Sequence, residues 1–396
     1  MKQIMAKKTV VLKKGKEVSV QRRHPWIFSG AIKKSDSSIE EGDVVQVVDS
    51  NSNFLSLGHW QNGSIAIRNL SFEKNQINKK FWIDKIKDAS AYRRQLRLPS
   101  KENTVFRLIF GEGDGLPGLV IDWYDGNAVV QCHSVGMYLS RETICEALQT
   151  VFKDTLKSVY CKSGETLPAN LNVEDHFLFG DSTGTVVTEH GHKFEIDWIT
   201  GQKTGFFIDQ RENRNLLATY SKGKTVLNTF CYSGGFSVYA AKAGAKLVDS
   251  VDCSTKAIEL TDKNMALNFP DGYEGSTHAE DTFSFMKANG DQYDIIILDP
   301  PAFAKHRDVR HKAVIGYKRL NSMALKKIKP GGLLFTFSCS QVVDRQLFEN
   351  TVRAAAIESG REAAIMHYLT QPADHPVNIY HPEGEYLKGL VVKVGK

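Results

Sequence analysis

The stretch Tyr293-Asp294-Ile295-Ile296-Ile297-Leu298-Asp299-Pro300-Pro301-Ala302-Phe303 decides the fold. Its continuous apolar run is typical of a strand that is buried on both faces of a parallel sheet. The run ends in an acidic residue and two prolines, which make the following turn rigid and remove backbone donors from it. We therefore expect Asp299 at the carboxyl-terminal edge of a sheet, where α/β proteins bind their ligands.

The sequence around this strand alternates between strands and helices from about residue 200 onward. Further strands are predicted at 225–229, 247–252, 277–280, 332–337, 362–369 and 389–394, and helices at 235–243, 254–268, 312–329 and 342–358. Such alternation predicts an α/β doubly wound, Rossmann-like sheet. We place this domain at 186–396.

The first half of the chain has a different pattern. Short strands separated by turn residues predict a small β-barrel or sandwich over residues 1–75. A basic amphipathic helix is predicted at 76–98, and it opens a middle α+β domain that we extend to residue 185. The glycine-rich segment 111–118 could be a phosphate cradle, but no helix follows it, which favours a plain connection between strands.

Positive charge is concentrated at the amino-terminal end. The 396 residues carry a net charge of +6, and residues 1–34 contain ten Lys or Arg against one acidic residue. This segregation favours a surface that binds a polyanion, although a solvated basic tail is the alternative. Because Arg22 and Arg23 are followed closely by the packing residue Trp26, we favour the binding surface.

The cysteine pattern and the apolar runs indicate a protein of the cytoplasm. No pair of the six cysteines has C-x-x-C spacing, so neither a zinc site nor a disulfide framework is predicted, and we expect no metal. No apolar run reaches the roughly 18–20 residues that span a membrane, and the first residues do not resemble a secretory signal. We expect no membrane partner.

Three other strand ends carry residues that suit a nucleoside. Gly234 and Gly235 form a turn that a ligand could approach closely, although such a turn can be purely structural. Asp252 is placed to accept hydrogen bonds from ribose hydroxyls or to cap the next helix. Asp281 could accept from an adenine amine or serve as a helix cap. The fingerprint G-x-G-x-x-G of dinucleotide sites is absent, so a nicotinamide oxidoreductase is the least favoured class.

Cys339 differs from the other cysteines. It follows the strand predicted beside 293–298, so it would share the sheet edge with Asp299. We interpret Cys132, Cys145, Cys161 and Cys253 as small buried hydrophobic residues. The sequence does not assign Cys231, which lies in the glycine turn, to either role.

Together these residues resemble the class I S-adenosylmethionine-dependent methyltransferases. The whole chain is similar to the bacterial family that makes 5-methylcytosine in 23S ribosomal RNA, which has an N-terminal PUA domain, a middle α+β domain and a C-terminal methyltransferase domain. The motifs that carry this resemblance lie at 24–30, 113–118, 201–211 and 337–340.

The resemblance implies roles for individual residues. It implies that S-adenosylmethionine is bound by Lys203, Gln210, Arg211, Phe230, Gly234, Asp252, Asp281 and Asp299. Cys339 would be the nucleophile that adds to cytosine, with Asp299 as its catalytic partner. The ribosomal RNA would present a single-stranded or flipped cytosine to Phe303, with Arg22, Arg23 and Trp26 as further RNA contacts.

One departure from related enzymes and three alternatives remain. Many RNA 5-methylcytosine enzymes carry a second cysteine after the Asp-Pro-Pro turn, but position 302 is Ala. The base that removes the C5 proton is therefore unidentified, with Lys305, His306 and water as candidates. The alternatives are an N-methyltransferase acting on guanine or adenine of RNA, a non-catalytic RNA-binding assembly factor, and the oxidoreductase. The oligomeric state is not fixed by the sequence, and a homodimer is compatible with it.

Overall fold

The computed structural model describes residues 8–304 and 307–395. The chain forms two compact units. The first comprises Met1–Thr185, Ile196–Phe206 and Ala373–Gly384, and the second comprises Val186–Glu195, Phe207–Pro372 and Glu385–Lys396. This division does not separate 1–75 from 76–185, so the three-domain arrangement stays a prediction.

The amino-terminal part of the first unit is a six-stranded β domain. Its elements are β1 (Thr9–Leu12), α1 (Val18–Gln21), β2 (Trp26–Phe28), β3 (Ile32–Ser35), β4 (Val44–Val48), β5 (Phe54–Trp60) and β6 (Ile65–Ser71). The strand order is β2-β6-β5-β4-β1-β3, and β1 and β4 are its parallel pair. Alternate apolar residues such as Val45 and Val47 point into a small core, because successive side chains of a strand face opposite sides. The predicted β domain is confirmed.

The remainder of the first unit is a five-stranded sheet covered by helices. It contains α2 (Lys79–Gln95), β7 (Val105–Phe110), β8 (Leu119–Tyr124), β9 (Asn127–Cys132), α3 (Val135–Leu139), α4 (Arg141–Phe152), β10 (Ser158–Cys161) and β11 (His176–Phe179). The strand order is β11-β10-β9-β8-β7. Helix α2 begins where the Asn78 side chain accepts a hydrogen bond from Phe81 N, and it buries Trp82 and Ile86 in the core.

The glycine-rich segment is a structural turn, as expected. It joins the antiparallel strands β7 and β8 and is anchored by Arg93, whose guanidinium is fully buried and pairs with Asp114. A Cβ on Gly113 would lie 1.8 Å from the carbonyl oxygen of Pro376, so only glycine fits there. The glycines of this segment therefore allow close packing of the backbone beside the ion pair. A strand, and not an α-helix, follows the turn, so it lacks the helix N-terminus that binds phosphate.

The second unit holds the doubly wound sheet. It begins with a two-stranded ribbon of β12 (Thr185–Glu189) and β13 (His192–Ile196). The elements that follow in chain order are α5 (Arg211–Ser221), β14 (Thr225–Thr229), α6 (Gly235–Lys242), β15 (Leu247–Asp252), α7 (Thr255–Asn268), β16 (Thr277–Ala279), α8 (Thr282–Asn289), β17 (Ile295–Leu298), α9 (Arg310–Lys327), β18 (Leu333–Ser338), α10 (Arg345–Ser359), β19 (Ala363–Leu369) and β20 (Lys388–Val394). The strand order is β16-β15-β14-β17-β18-β20-β19. The strands from β16 to β18 are parallel, and β20 is antiparallel to both of its neighbours.

The register of the parallel strands fixes the edge where a ligand would bind. Leu298 of β17 lies opposite Thr229 of β14 and Thr336 of β18, and Thr229 lies opposite Val251 of β15. The residues that follow these four positions therefore meet at one edge of the sheet.

Two helices of this unit were not predicted from the sequence. The buried positions of α5 are mostly polar, namely Arg211, Asn213, Arg214 and Ser221 beside Leu217. A helix that buries polar groups shows no apolar periodicity, which is the signal used to find helices. Helix α8 has only 8 residues. Across the described parts of the chain, no helix combines the length and apolarity needed to cross a membrane.

Candidate active site

Asp299 lies at the carboxyl end of the central strand β17 and is held by a short chain of amides. Its Oδ2 accepts a hydrogen bond from Gln210 Nε2 at 3.0 Å. Gln210 Oε1 in turn accepts from Asn213 Nδ2, on α5, at 2.6 Å. Both amide side chains are buried, so their hydrogen bonds are protected from water and fix the direction of the carboxylate. Gln210 was predicted to border the cofactor pocket; it lies beside Asp299, and its contact with a cofactor stays a prediction.

Cys339 follows the neighbouring strand β18 and is half-buried. Cys132, Cys145, Cys161 and Cys231 are buried, as small hydrophobic residues usually are. Burial raises the pKa of Cys231 to about 12, which makes it a poor nucleophile although it lies in the glycine turn. The interpretation of Cys253 as buried was wrong, because it is exposed where the chain turns from β15 into α7.

Tyr317 of α9 connects the two predicted catalytic groups. Burial raises the pKa of Tyr317 to about 12, and the negative charges of Cys339 and Asp299 both contribute to this rise. The strand register agrees with this placement, because Leu298 lies opposite Thr336 and both groups follow the carboxyl ends of these adjacent parallel strands. The structure therefore brings Cys339 and Asp299 to one side of the sheet edge.

Sequence reasoning missed one functional candidate, Lys388 at the start of β20. Its side chain is 3% exposed, and Nζ donates hydrogen bonds to Ser340 O at 2.7 Å and Tyr386 O at 2.6 Å. Burial lowers the pKa of Lys388 to about 8, and Cys339 is the first of the groups that pull it back upward. A lysine at a strand end is usually a solvent-exposed residue, so no sequence signal identified it.

The glycine turn after β14 is tightly wound. Phe230, Tyr232 and Gly234 all have left-handed backbone conformations, with φ values of 54°, 48° and 71°. A Cβ on Gly234 would lie 2.7 Å from the Cγ2 of Thr261. The turn therefore requires glycine at 234 and exposes backbone to whatever binds beyond β14.

Asp252 ends β15 and is anchored by backbone amides. Its Oδ2 accepts from Tyr232 N at 3.1 Å and its Oδ1 accepts from Ser254 N at 2.9 Å. The residue that caps α7 is Ser254, which accepts from Ala257 N, so the helix-cap alternative for Asp252 was wrong. A half-buried carboxylate fixed beside a glycine turn retains acceptor capacity for hydroxyl groups. This chemistry fits the ribose of a nucleoside.

Asp281 lies next to this position, because Asp252 is opposite Ala279 in the β15–β16 pair. Its Oδ1 caps α8 by accepting from Ser284 N at 2.9 Å and from Ser284 Oγ at 3.1 Å. The helix-cap alternative is therefore confirmed. A second role toward adenine stays a prediction, since one carboxylate can accept several hydrogen bonds.

The other residues predicted around the cofactor differ in their surroundings. Arg211 is buried at the start of α5 and pairs with Glu212 at 3.0 Å. Lys203 belongs to the first unit, where it is exposed and has a left-handed φ of 51°. Phe230 is half-buried against the core of the second unit. Their contacts with a cofactor stay predictions.

Phe303 is half-buried and packs against Tyr317, with ring centroids 4.6 Å apart. One face of its ring is thus used by the core, which leaves a stacking role toward a base as a prediction. Lys305 and His306, the proposed candidates for the proton acceptor, lie outside the described residues.

The three predicted RNA-binding residues of the first unit fall into two groups. Arg22 and Arg23 are exposed, and the guanidinium of Arg23 lies 5.9 Å from the ring centroid of Phe72. Trp26 is half-buried, its Nε1 donates to Glu112 at 2.8 Å and its ring packs against His381. Trp26 therefore has a structural role, while contact of all three with RNA stays a prediction.

A search of residues 8–304 and 307–395 for three or more His, Cys, Asp or Glu arranged as metal ligands finds no such group. The donor set at the sheet edge is instead a tight glycine turn, an anchored carboxylate and a half-buried thiol, which fits a nucleoside cofactor beside a reactive group.

Comparison with known proteins agrees with this class of site. Residues 174–379 match the S-adenosylmethionine-dependent methyltransferase family, and residues 10–72 match a PUA-like domain. The fold and the site thus define an S-adenosylmethionine-dependent methyltransferase. The sequence is 39% identical to Ribosomal RNA large subunit methyltransferase I of Aeromonas hydrophila over 395 residues, covering 97% of this chain and 99% of that protein. The corresponding protein of Tolumonas auensis is 38% identical with the same coverage. The chain therefore belongs to the ribosomal RNA large subunit methyltransferase I family.

Solved structures share the fold over almost the whole chain. A methyltransferase complexed with S-adenosylhomocysteine is 25% identical, with a TM-score of 0.83 over 98% of this chain and all of the other. A protein assigned as an S-adenosylmethionine-dependent methyltransferase from Streptococcus mutans gives the same TM-score and coverage at 24% identity. Both likenesses support the doubly wound fold, and the structure with bound S-adenosylhomocysteine also supports the cofactor class.

Proposed function

We propose that this protein transfers a methyl group to carbon 5 of a cytosine in large-subunit (23S) ribosomal RNA, with Cys339 as a covalent nucleophile. The observation that carries the proposal is the parallel pairing of β17 with β18, which places Asp299 and Cys339 after the carboxyl ends of adjacent strands. A half-buried thiol at the end of β18 is accessible enough to react, and it stands beside the carboxylate that ends β17. The substrate class follows from the names of the relatives that match 97% of the chain.

The chemistry explains why a thiol belongs at this place. Carbon 5 of cytosine is a poor nucleophile, and S-adenosylmethionine, when bound, supplies an electrophilic methyl group. Addition of the Cys339 thiolate to carbon 6 forms an S–C6 bond and shifts an electron pair toward the ring, which makes carbon 5 resemble an enamine. Carbon 5 can then use that pair to form its bond to the methyl group, while the bond between the methyl group and the sulfonium sulfur breaks and S-adenosylhomocysteine leaves.

Asp299 supports this addition. If it faces ring N3, a hydrogen bond there stabilises the charge that develops on the ring as the sulfur adds. Gln210 holds the carboxylate in one direction through the 3.0 Å hydrogen bond, so little reorganisation is needed during the reaction.

The covalent adduct resolves by loss of a proton. The C5–H bond breaks, its electron pair restores the C5–C6 double bond, and the S–C6 pair returns to Cys339 as a thiolate. Position 302 is Ala, where many related enzymes have a second cysteine, so the departing proton goes to one of the candidates Lys305, His306 and water.

The first unit would supply RNA affinity. Its residues 10–72 match a PUA-like domain, and Arg22 and Arg23 are exposed on it. Contacts of arginine with phosphate raise affinity without selecting a base.

The cytosine must be single-stranded or flipped to reach a sheet edge, with Phe303 beside it. We place the enzyme in the cytoplasm, where ribosomal RNA is made, and a homodimer is compatible with the proposal.

The test compares Cys339→Ala with the matched control Cys253→Ala, which removes an exposed thiol. Each purified protein is incubated with S-adenosylmethionine and ribosomal RNA from a strain that lacks the enzyme, and modified nucleosides are mapped by mass spectrometry. We expect 5-methylcytosine with the wild type and the control, and its loss by several orders of magnitude with Cys339→Ala.

Other results would contradict the proposal. Methylated guanine or adenine that persists in Cys339→Ala would identify a nitrogen methyltransferase, which needs no covalent adduct. A wild-type protein that binds RNA but not S-adenosylmethionine would indicate an assembly factor without catalytic activity.

A further inference from the structure

Lys388 occupies an unusual position beside the predicted nucleophile. Strand β20 runs antiparallel to β18, and Lys388 lies directly opposite Ser338, the residue before Cys339. Its side chain is 3% exposed, although an ammonium group is costly to remove from water. A charge buried at this cost next to a reactive group calls for a functional explanation.

The ammonium is fixed in place by two carbonyl groups. Lys388 Nζ donates to Ser340 O at 2.7 Å, so it reaches across the turn that carries Cys339, and to Tyr386 O at 2.6 Å. A charged amine has three N–H groups, so these two hydrogen bonds leave one N–H for another acceptor.

Among the ionisable neighbours of Lys388, Cys339 contributes most to stabilising the charged form of the lysine. Cys339 stabilises the charged lysine, followed by Glu385 and Asp344, while Arg345 opposes it. Arg345 is itself paired with Glu385, with Nε and Oε1 3.0 Å apart, so these two charges largely offset each other. The pairing of Lys388 with Ser338 and the hydrogen bond from Nζ to Ser340 O place the ammonium beside the two residues that flank Cys339.

We propose that Lys388 is a positioning residue that holds the Cys339 sulfur as a thiolate, with its ammonium anchored on the carbonyl oxygens of Ser340 and Tyr386. The thiol proton passes to water before the sulfur attacks, and Lys388 keeps its protons throughout. A cation beside a cysteine favours the thiolate, which is the nucleophilic form. The catalytic consequence rests on the proposed function of Cys339.

A purely structural role explains the contacts less well. Two backbone carbonyls can be satisfied by a neutral amide, which avoids burying a charge. Lysine is the residue that adds a positive charge at this point, and that charge matters if the neighbouring sulfur is an anion.

The test measures the reactivity of Cys339 directly, in the full-length protein without RNA. Iodoacetamide alkylation of Cys339 is followed by peptide mass spectrometry across a pH series. Lys388→Met keeps the length of the side chain and removes its charge, and Lys393→Met is the matched control, because Lys393 lies on the same strand and is exposed. We expect alkylation near neutral pH to slow at least about tenfold in Lys388→Met and to stay unchanged in the control.

Two further variants separate charge from hydrogen bonding and protect the test against misfolding. Lys388→Arg keeps both, and we expect it to restore fast alkylation. Lys388→Gln keeps only neutral N–H donors, and we expect it to be as slow as Lys388→Met. A wild-type rate and pH profile in whichever of Lys388→Gln and Lys388→Met remains folded would overturn the proposal.

Methylation assays distinguish this inference from the proposed function. We expect Lys388→Met to lower kcat about tenfold or more, with little change in KM for ribosomal RNA. If Cys339→Ala retains methylation while Lys388→Met slows alkylation, the covalent mechanism fails and the lysine–thiolate pair stands. If Cys339→Ala is inactive while Lys388→Met reacts like the wild type, the mechanism stands and the role of Lys388 fails.

Discussion

Replacing Gln210 with leucine tests whether the chain of amides behind Asp299 contributes to catalysis. Gln210→Leu removes the donor that lies 3.0 Å from Asp299 Oδ2 and the acceptor of the 2.6 Å hydrogen bond from Asn213. Leucine has a similar volume, so the core around residue 210 should remain filled. Asn213 keeps a weaker contact with Thr370 O at 3.4 Å.

The size of the effect follows from the charge of the acceptor. A hydrogen bond to an ionised group contributes about 1.5–3 kcal/mol. If that hydrogen bond directs Asp299 toward the base in the transition state, its loss lowers kcat by about 10- to 150-fold. If Gln210 acts only through Asp299, the affinity for S-adenosylmethionine should change little, whereas the direct cofactor contact that the resemblance implies would weaken it.

The assay is methyl incorporation into ribosomal RNA at saturating substrate, together with calorimetric titration of S-adenosylmethionine. Gln346→Leu is the control, since Gln346 is an exposed glutamine on α10. A kcat within about twofold of the wild type, combined with weaker cofactor binding, would refute this reasoning and identify Gln210 as a cofactor contact.

Three further predictions concern stability and the cofactor turn. Glu189→Gln leaves the buried guanidinium of Arg214 without its bidentate partner, now at 2.9 and 2.8 Å, and should lower the free energy of unfolding in urea by about 3–5 kcal/mol. Gly234→Ala should weaken calorimetric binding of S-adenosylmethionine, because its Cβ would meet Thr261 at 2.7 Å, whereas Gly331→Ala, with open space around it, should not. Burial lowers the pKa of His59 from 6.5 to about 4 in the folded protein. Between these two pH values the unfolded chain binds a proton at His59 and the folded protein does not, so the free energy of unfolding falls as the pH drops from 6.5 toward 4. His59→Phe should reduce that fall by roughly 3 kcal/mol, and an unchanged pH profile of unfolding would contradict the assignment.

The central strands of the second unit could be predicted because each is a short stretch with apolar residues that ends at a turn. Strand β17 and its Asp-Pro-Pro turn fix the centre of the sheet, and β14, β15 and β18 follow the same pattern on both sides. Helix α5 could not be found in this way. It buries Arg214 against Glu189, and a helix held by a buried ion pair has no apolar stripe to detect.

The candidate site likewise contains residues whose position the sequence predicts and residues whose role it does not. Asp252, Asp299 and Cys339 lie at or just after the ends of predicted strands, so parallel topology alone brings them to one edge. The capping roles of Ser254 and Asp281 depend on where a helix begins to within one residue, which the sequence does not determine.

The position of Lys388 depends on the order of the last two strands. Strand β19 precedes β20 in the chain, and a simple continuation would pair β19 with β18. The chain instead forms a reversed pair that inserts β20 between them, which places Lys388 opposite Ser338, fifty positions earlier in the sequence. No local pattern encodes that insertion, because β19 and β20 are both short strands that either order could accommodate. The insertion therefore accounts for both the invisibility of Lys388 in the sequence and its proximity to Cys339 in the fold. If Lys388 controls the charge on Cys339, the antiparallel strand β20 contributes to catalysis as well as joining β18 to the edge strand β19.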